Sequence, residues 1–207
     1  MTAMPAEVRL AEASESAVVS AMLARAFHRD PFMTWLFGGT DARRAAHLQQ
    51  LFRIFIALAL KQGTVYTTPQ HEGAALWFFP DRWRADTITQ LRWLWLMLRA
   101  AGPRQVGRRI RAVDHVDQFH PPAPHYYLMV LGTDPDAQGR GIGSALMAPV
   151  LARCDAEGVP AYLEASAPRN VPYYEHRGFQ VQREIQVPDG GPPVWLMWRE
   201  PESGPAA

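Results

Sequence analysis

The stretch Tyr126-Tyr127-Leu128-Met129-Val130-Leu131-Gly132-Thr133-Asp134-Pro135-Asp136-Ala137-Gln138-Gly139-Arg140-Gly141-Ile142-Gly143-Ser144 decides how this chain folds. Tyr126 to Gly132 is an almost unbroken apolar run, as a central strand buried on both faces requires. Thr133-Asp134-Pro135-Asp136 reads as a turn, and the glycine-rich segment after it opens a helix that continues to Glu157. Strand, turn, alternating glycines and helix start together make a phosphate-binding arrangement. Glycines let the main chain approach an anion without a Cβ clash. The unpaired first-turn N–H groups and the positive end of the helix dipole face that anion. Arg140 adds a mobile positive charge.

Downstream, Gly158-Val159-Pro160 ends the helix, Ala161–Ala165 is a short strand, and Pro168–Arg177 is a short helix entered through Asn170 and Pro172. Phe179–Ile185 and Val194–Trp198 read as closing strands. Upstream, Val8–Ala11 is a short strand and Ser14 caps a helix to about Phe27. An aromatic turn of helix or loop follows over Phe32–Phe37, and Asp41 caps a long helix to about Lys61. Thr64–Thr68 and Ala74–Phe79 form a hairpin, Thr87–Ala101 and Val106–Phe119 are helices, and His120-Pro121-Pro122-Ala123-Pro124 is a semi-rigid extended connector. Trp93-Leu94-Trp95-Leu96-Met97-Leu98 is apolar all round, so its helix is buried or packs on a partner subunit, and a homodimer face is one reading.

Composition narrows the classes. The chain has 207 residues, 48% of them hydrophobic and 20% charged, with a net charge of +1. That suits a soluble globular domain with a sizeable core and gives no global field for nucleic acid or an anionic membrane. Eight arginines lie between Arg82 and Arg111, but without aromatic-basic interleaving on a polar surface. Cys154 is the sole cysteine, so no intrachain disulfide forms, and a cytoplasmic location with a buried inert thiol is expected. The apolar runs Ile54–Leu60 and Trp93–Leu98 fall far short of the roughly 20 residues of a membrane span. Met1–Leu10 lacks the features of a secretory signal.

Several nucleotide-binding loops use alternating glycines. A Walker loop needs a glycine-lysine-serine/threonine ending, which is absent here. A dinucleotide fingerprint counted from Gly139 and Gly141 meets Ser144 at its sixth position, where glycine is needed. The spacing of Gln138, Gly141 and Gly143 instead resembles motif A of the GNAT acetyltransferases, preceded by Leu131-Gly132-Thr133-Asp134-Pro135 as in the family's fourth strand. Downstream, Tyr162-Leu163-Glu164-Ala165-Ser166-Ala167-Pro168-Arg169-Asn170-Val171-Pro172-Tyr173-Tyr174-Glu175-His176-Arg177-Gly178-Phe179 resembles motif B, and is especially similar to the puromycin N-acetyltransferase group. The good match runs from about His120 to Trp198. Over Val8 to Phe119 it is faint.

The resemblance implies an α/β (α+β) fold with a mixed, mostly antiparallel sheet of about seven strands flanked by helices and splayed between strands 4 and 5. It implies one acetyltransferase domain over residues 1–200, with an acceptor-side half at 1–119, an acetyl-CoA-binding half at 120–200 and a disordered tail at 201–207. Acetyl-CoA is the implied cosubstrate, with no metal. Its pantetheine arm would pair with the backbone of Met129, Leu131 and Thr133 just after a bulge. Gly132, a strand glycine, fits a bulge or a close backbone approach. Its diphosphate would lie over Gln138, Gly139, Arg140, Gly141, Ile142, Gly143 and Ser144. Asn170 would sit beside the pantetheine; capping the helix is a strong alternative role for it, and both roles can coexist.

Tyr174 matches the family tyrosine that protonates the departing thiolate. A phenol suits this because its acidity is close to that of a thiol. Tyr173 points about 100° away around the helix. The general base is open among His125, Glu164, Asp30 and His120. Glu164 resembles a glutamate of the puromycin group and is preferred, since a carboxylate beside an apolar strand has its pKa raised toward a useful range. The expected reaction is acetyl transfer to a primary amine of a small molecule, such as an antibiotic or amino-nucleoside. A protein or peptide amine, or a non-catalytic acyl-CoA sensor, are the other readings.

Overall fold

A computed structural model describes residues 6–202. The strands are β1 (Arg9–Leu10), β2 (Gly63–Thr67), β3 (Gly73–Phe78), β4 (Tyr126–Thr133), β5 (Ala161–Ala165), β6 (Gln180–Gln186) and β7 (Pro193–Arg199). They form one sheet in the order β1-β2-β3-β4-β5-β7-β6. Every neighbouring pair is antiparallel except β4 and β5, which are parallel. A parallel pair needs a crossover, which α6 (Ile142–Glu157) supplies.

The other helices are α1 (Ser16–Ala26), α2 (Pro31–Phe37), α3 (Asp41–Gln62), α4 (Thr87–Ala101), α5 (Val106–Asp117) and α7 (Val171–Glu175). Alternation along β3 feeds two cores. Ala74, Leu76 and Phe78 face the helices of the N-terminal half, whereas Ala75 and Trp77 face α6. That double coverage is why β3 and β4 are apolar on both faces.

The decisive irregularity lies in β4. Leu76 pairs with Val130 and the next β3 residue, Trp77, pairs with Leu128, so Met129 is an extra residue without a partner. This bulge breaks the alternation, because Met129 and Val130 both face the first core. A bulge bends and twists its strand. Pairing of β4 with β5 accordingly stops at Leu128–Leu163, while β5 stays paired with β7 through Ala165. The strand glycine Gly132 is therefore not the bulge. It is the close approach of α1: a Cβ there would lie 2.7 Å from Leu23 Cδ2 and 3.1 Å from Phe27 Cε2.

Several local expectations are corrected. Ser14 does not cap α1; Ala13–Glu15 is a 3₁₀ turn in which Glu12 and Glu15 cap one another. Asp41 pairs with Arg44, and Thr40 precedes α3. Phe32–Phe37 lies in a true helix because Asp30 accepts from the Met33 N–H at 2.9 Å and Pro31 occupies the first turn. Residues 168–170 form a 3₁₀ turn before α7. In α4 only Leu96 and Met97 are buried, so Ile88, Leu91, Leu94, Trp95 and Leu98 leave an apolar stripe on the surface.

Of the expected tail, 203–207 lie outside the described residues. The Glu202 N–H is tied to Asp155 Oδ1 at 2.7 Å. Among the described residues no helix is long and apolar enough to cross a membrane. Cys154 is buried, and burial pushes its thiol up to about 12.

Filling the α1–β4 contact tests this packing. Gly132→Val is expected to lower the unfolding free energy by about 1–3 kcal/mol through overpacking, read by urea denaturation. An unchanged midpoint would mean that α1 does not rest on β4 there.

Candidate functional site

Three features converge on the splay. The first is the glycine turn. Gly139 and Gly141 both have φ +77°, a conformation that side-chain-bearing residues rarely adopt, and a Cβ at either would meet nothing within 4 Å. The turn is thus open to an approaching group, and the α6 first-turn N–H groups behind it are the ones a helix leaves unpaired. Gly143 is shaped by packing: a Cβ there would lie 2.4 Å from the Tyr173 hydroxyl.

The Arg140 side chain is exposed beside the turn, where Nη1 donates to Glu72 Oε1 at 2.7 Å. Arg177 also stands at the turn. It hydrogen-bonds Ser144 Oγ and lies 3.6 Å over the Tyr173 ring. Sequence reading missed Arg177, since only the return of α7 against α6 brings it to this helix start.

The second feature is the exposed strand edge. Met129 is unpaired, and from Val130 to Thr133 β4 is paired on the β3 side alone, so its other edge faces the splay. Gln138 Nε2 reaches the Thr133 carbonyl at 3.5 Å. Asn170 precedes α7, yet among the described residues its side chain makes no capping hydrogen bond. The capping role is not the one it fills.

Tyr174 is buried on the α6 side with Phe179. Burial, then Tyr173 and Asp30, push its phenol up, which keeps it protonated at neutral pH. Burial also raises Tyr173, opposed by Ser144 and Arg177. Asp30, a candidate base, caps α2 and accepts from Ser166 Oγ. Burial is the main cause of its raised pKa.

The third feature is a cavity of about 810 Å³ on the N-terminal side of the splay, a volume that suits a small-molecule ligand. Phe27, Phe32, Phe55, Trp93 and Met129 give it an apolar wall. At one end stand Asp114, Asp117, Glu164, Ser166 and His120. Asp117 is exposed and lines both this cavity and a neighbouring one of about 480 Å³. Burial in the wall, with the negative charge of Glu164 and Asp114, pushes it up to about 7. Glu164 accepts from the Tyr127 hydroxyl at 2.8 Å and from the Tyr162 hydroxyl at 3.0 Å.

His125 is not the surface residue that a strand start allows. It is buried, with Nδ1 2.6 Å from the Ala123 carbonyl and Nε2 3.1 Å from His120 Nε2. The proline-rich connector before it is bent rather than extended, which turns the two rings toward each other. No group of three or more metal-binding side chains occurs among the described residues.

The raised carboxyl of Asp117 gives a pH signature. Its folded pKa lies above the unfolded value, so its contribution to stability is full at low pH and is lost as pH rises toward 7. Asp117→Asn is expected to raise the melting temperature over wild type at pH 8 and to raise it far less at pH 4, near the unfolded pKa. Equal effects at both pH values would contradict the raised pKa.

Comparison with known proteins adds to this geometry. Residues 107–179 match the sequence profile of the Acetyltransferase (GNAT) family. An uncharacterised N-acetyltransferase of Schizosaccharomyces pombe is 29% identical over 203 residues, covering 93% of this chain and 82% of that protein. A crystal structure from Corynebacterium glutamicum, named as histone acetyltransferase HPA2 and related acetyltransferase, is 27% identical with a TM-score of 0.73, over 98% of this chain and 100% of that one. Arylalkylamine N-acetyltransferase 2 from Aedes aegypti is 12% identical with a TM-score of 0.54, over 95% of this chain and 99% of that one, a likeness of fold.

Proposed function

We propose that the chain is an acetyl-CoA-dependent acetyltransferase of the GNAT kind, a reading supported by the family match over residues 107–179 and by its relatives, and that its acceptor is the primary amine of a small molecule with an apolar body. The observation that carries this reading is the cavity of about 810 Å³ beside the unpaired edge of β4, apolar along its length and carboxylate-bearing at one end. An ammonium at that end meets Asp117 and Glu164, and the aromatic wall takes the rest of the molecule.

In this reading the donor fits the residues present. The main-chain groups of Met129, Leu131 and Thr133 along the unpaired β4 edge hold the pantetheine amides, with Asn170 beside them. The turn from Gln138 through Gly139, Arg140, Gly141, Ile142 and Gly143 to Ser144 takes the diphosphate, with Arg177 adding charge. The thioester supplies the acetyl group. Tyr174 then gives its proton to the departing sulfur, a role its protonated, buried phenol supports.

Thiol release from acetyl-CoA, followed with phenylethylamine, an aminonucleoside and a lysine peptide as acceptors, tests both parts. Turnover is expected with one or both small amines and above that with the peptide. Tyr174→Phe is expected to lower kcat by about 10²–10⁴-fold with acetyl-CoA affinity unchanged by calorimetry. Binding without turnover on any amine would contradict the enzyme reading, and unchanged kcat would remove Tyr174 from the mechanism.

A further inference from the structure

We propose that His120 is the general base, presenting an unprotonated Nδ1 to the acceptor cavity, and that Glu164 is a positioning residue that steadies the imidazolium formed there. The inference rests on the amine-acceptor reading of that cavity. Hydrogen-bond logic carries it along a chain of three groups.

The Ala123 carbonyl can only accept, so His125 Nδ1, 2.6 Å away, carries a hydrogen. Burial lowers the His125 pKa, which keeps that ring neutral and leaves its Nε2 as a lone pair. His120 Nε2, 3.1 Å from that lone pair, must therefore be the donor. A neutral His120 with hydrogen on Nε2 has its remaining lone pair on Nδ1, which faces Glu164 Oε1 at 3.7 Å. The outer ring thus fixes the tautomer of the inner one.

Glu164 is less suited to take a proton itself. Both its oxygens already accept phenol hydrogens, from Tyr127 and Tyr162. The Glu164 charge lies 3.7 Å from Nδ1, so it attracts the imidazolium once that nitrogen has taken a proton. Trp83 stacks on His120 with centroids 3.8 Å apart, which fixes the ring plane and offers a π-face to the imidazolium.

The proton balance closes. His120 Nδ1 takes one proton from the acceptor ammonium, and the freed nitrogen attacks the thioester carbonyl carbon. The C–N bond forms and the C–S bond breaks. Tyr174 protonates the sulfur and regains a proton from the same nitrogen, which keeps its last hydrogen as the amide N–H. The proton on His120 leaves to solvent. His120 also lines a second cavity of about 480 Å³ with Asp81, Trp83, Pro122 and His125, which gives that proton a path to solvent. The titratable and charged neighbours of His120 are Glu164 and Tyr162 of β5, Tyr127 of β4, His125 at its start, Asp117 of α5, and Asp81 and Arg84 before α4.

Two measurements test this on the whole protein. Long-range ¹H–¹⁵N NMR at neutral pH is expected to show His125 protonated on Nδ1 and His120 on Nε2, and the reverse tautomer on His120 would overturn the inference. In kinetics, His120→Gln is expected to lower kcat/KM for phenylethylamine, an ammonium at pH 7, by about 10²–10⁴-fold. For aniline, already neutral, the loss is expected to be much smaller, and acetyl-CoA affinity by calorimetry is expected to be unchanged. Equal losses on both amines would mean a structural role and overturn it. Wild-type protein that binds acetyl-CoA and acetylates neither amine would overturn the acceptor reading, and with it the catalytic role. That failure is distinguishable because the tautomers are read without any acceptor.

Discussion

The end of β4–β5 pairing at Leu128 and Leu163 is the constraint on which the rest of the structure depends. A sheet that stayed zipped to Thr133 would leave neither a free strand edge nor a mouth for the cavity beside it. The opening has a local cause, the single extra residue Met129, which places two successive side chains on one face and turns the strand. Its backbone N–H and C=O groups beyond that point want partners. The chain supplies none from β5, which continues along β7 instead. The same crossover that makes β4 and β5 parallel brings the α6 start to the end of this open edge. The glycine turn and the open strand edge are therefore consequences of one βαβ unit.

How much of this was legible depended on whether the information was local. The strand, the turn and the helix around Gly139–Gly143 were readable because glycine spacing and an apolar run are local signals, and the sheet's mixed character followed from the family resemblance they carried. Cap residues were harder. Ser14 and Asp41 are good cap types, yet Glu12 with Glu15 and the backbone before Asp41 took those places. In α4 the apolar run is legible, but of its two readings the buried one fails, because within the chain only Leu96 and Met97 are covered.

The acceptor end shows the sharper limit. His120, His125 and Glu164 were individually visible as titratable residues near strand starts and ends. Their arrangement was not, because it depends on a bent proline-rich connector and on the parallel register that sets Tyr127 beside Tyr162. Asp117 and Arg177 carried no motif at all. Each gains its character from what a distant element packs against it: Glu164 and Asp114 in one case, Ser144 and Tyr173 in the other. Charge in this site is therefore a tertiary property, set by burial and by neighbours that no short window contains.

Amide hydrogen exchange of the whole protein with and without acetyl-CoA tests the central claim most directly. The account predicts new protection at Met129, Leu131 and Thr133 on the open edge of β4 and at the first-turn amides of α6, with Tyr126 to Leu128 little changed. Protection confined to other segments, or none along that edge, would contradict it.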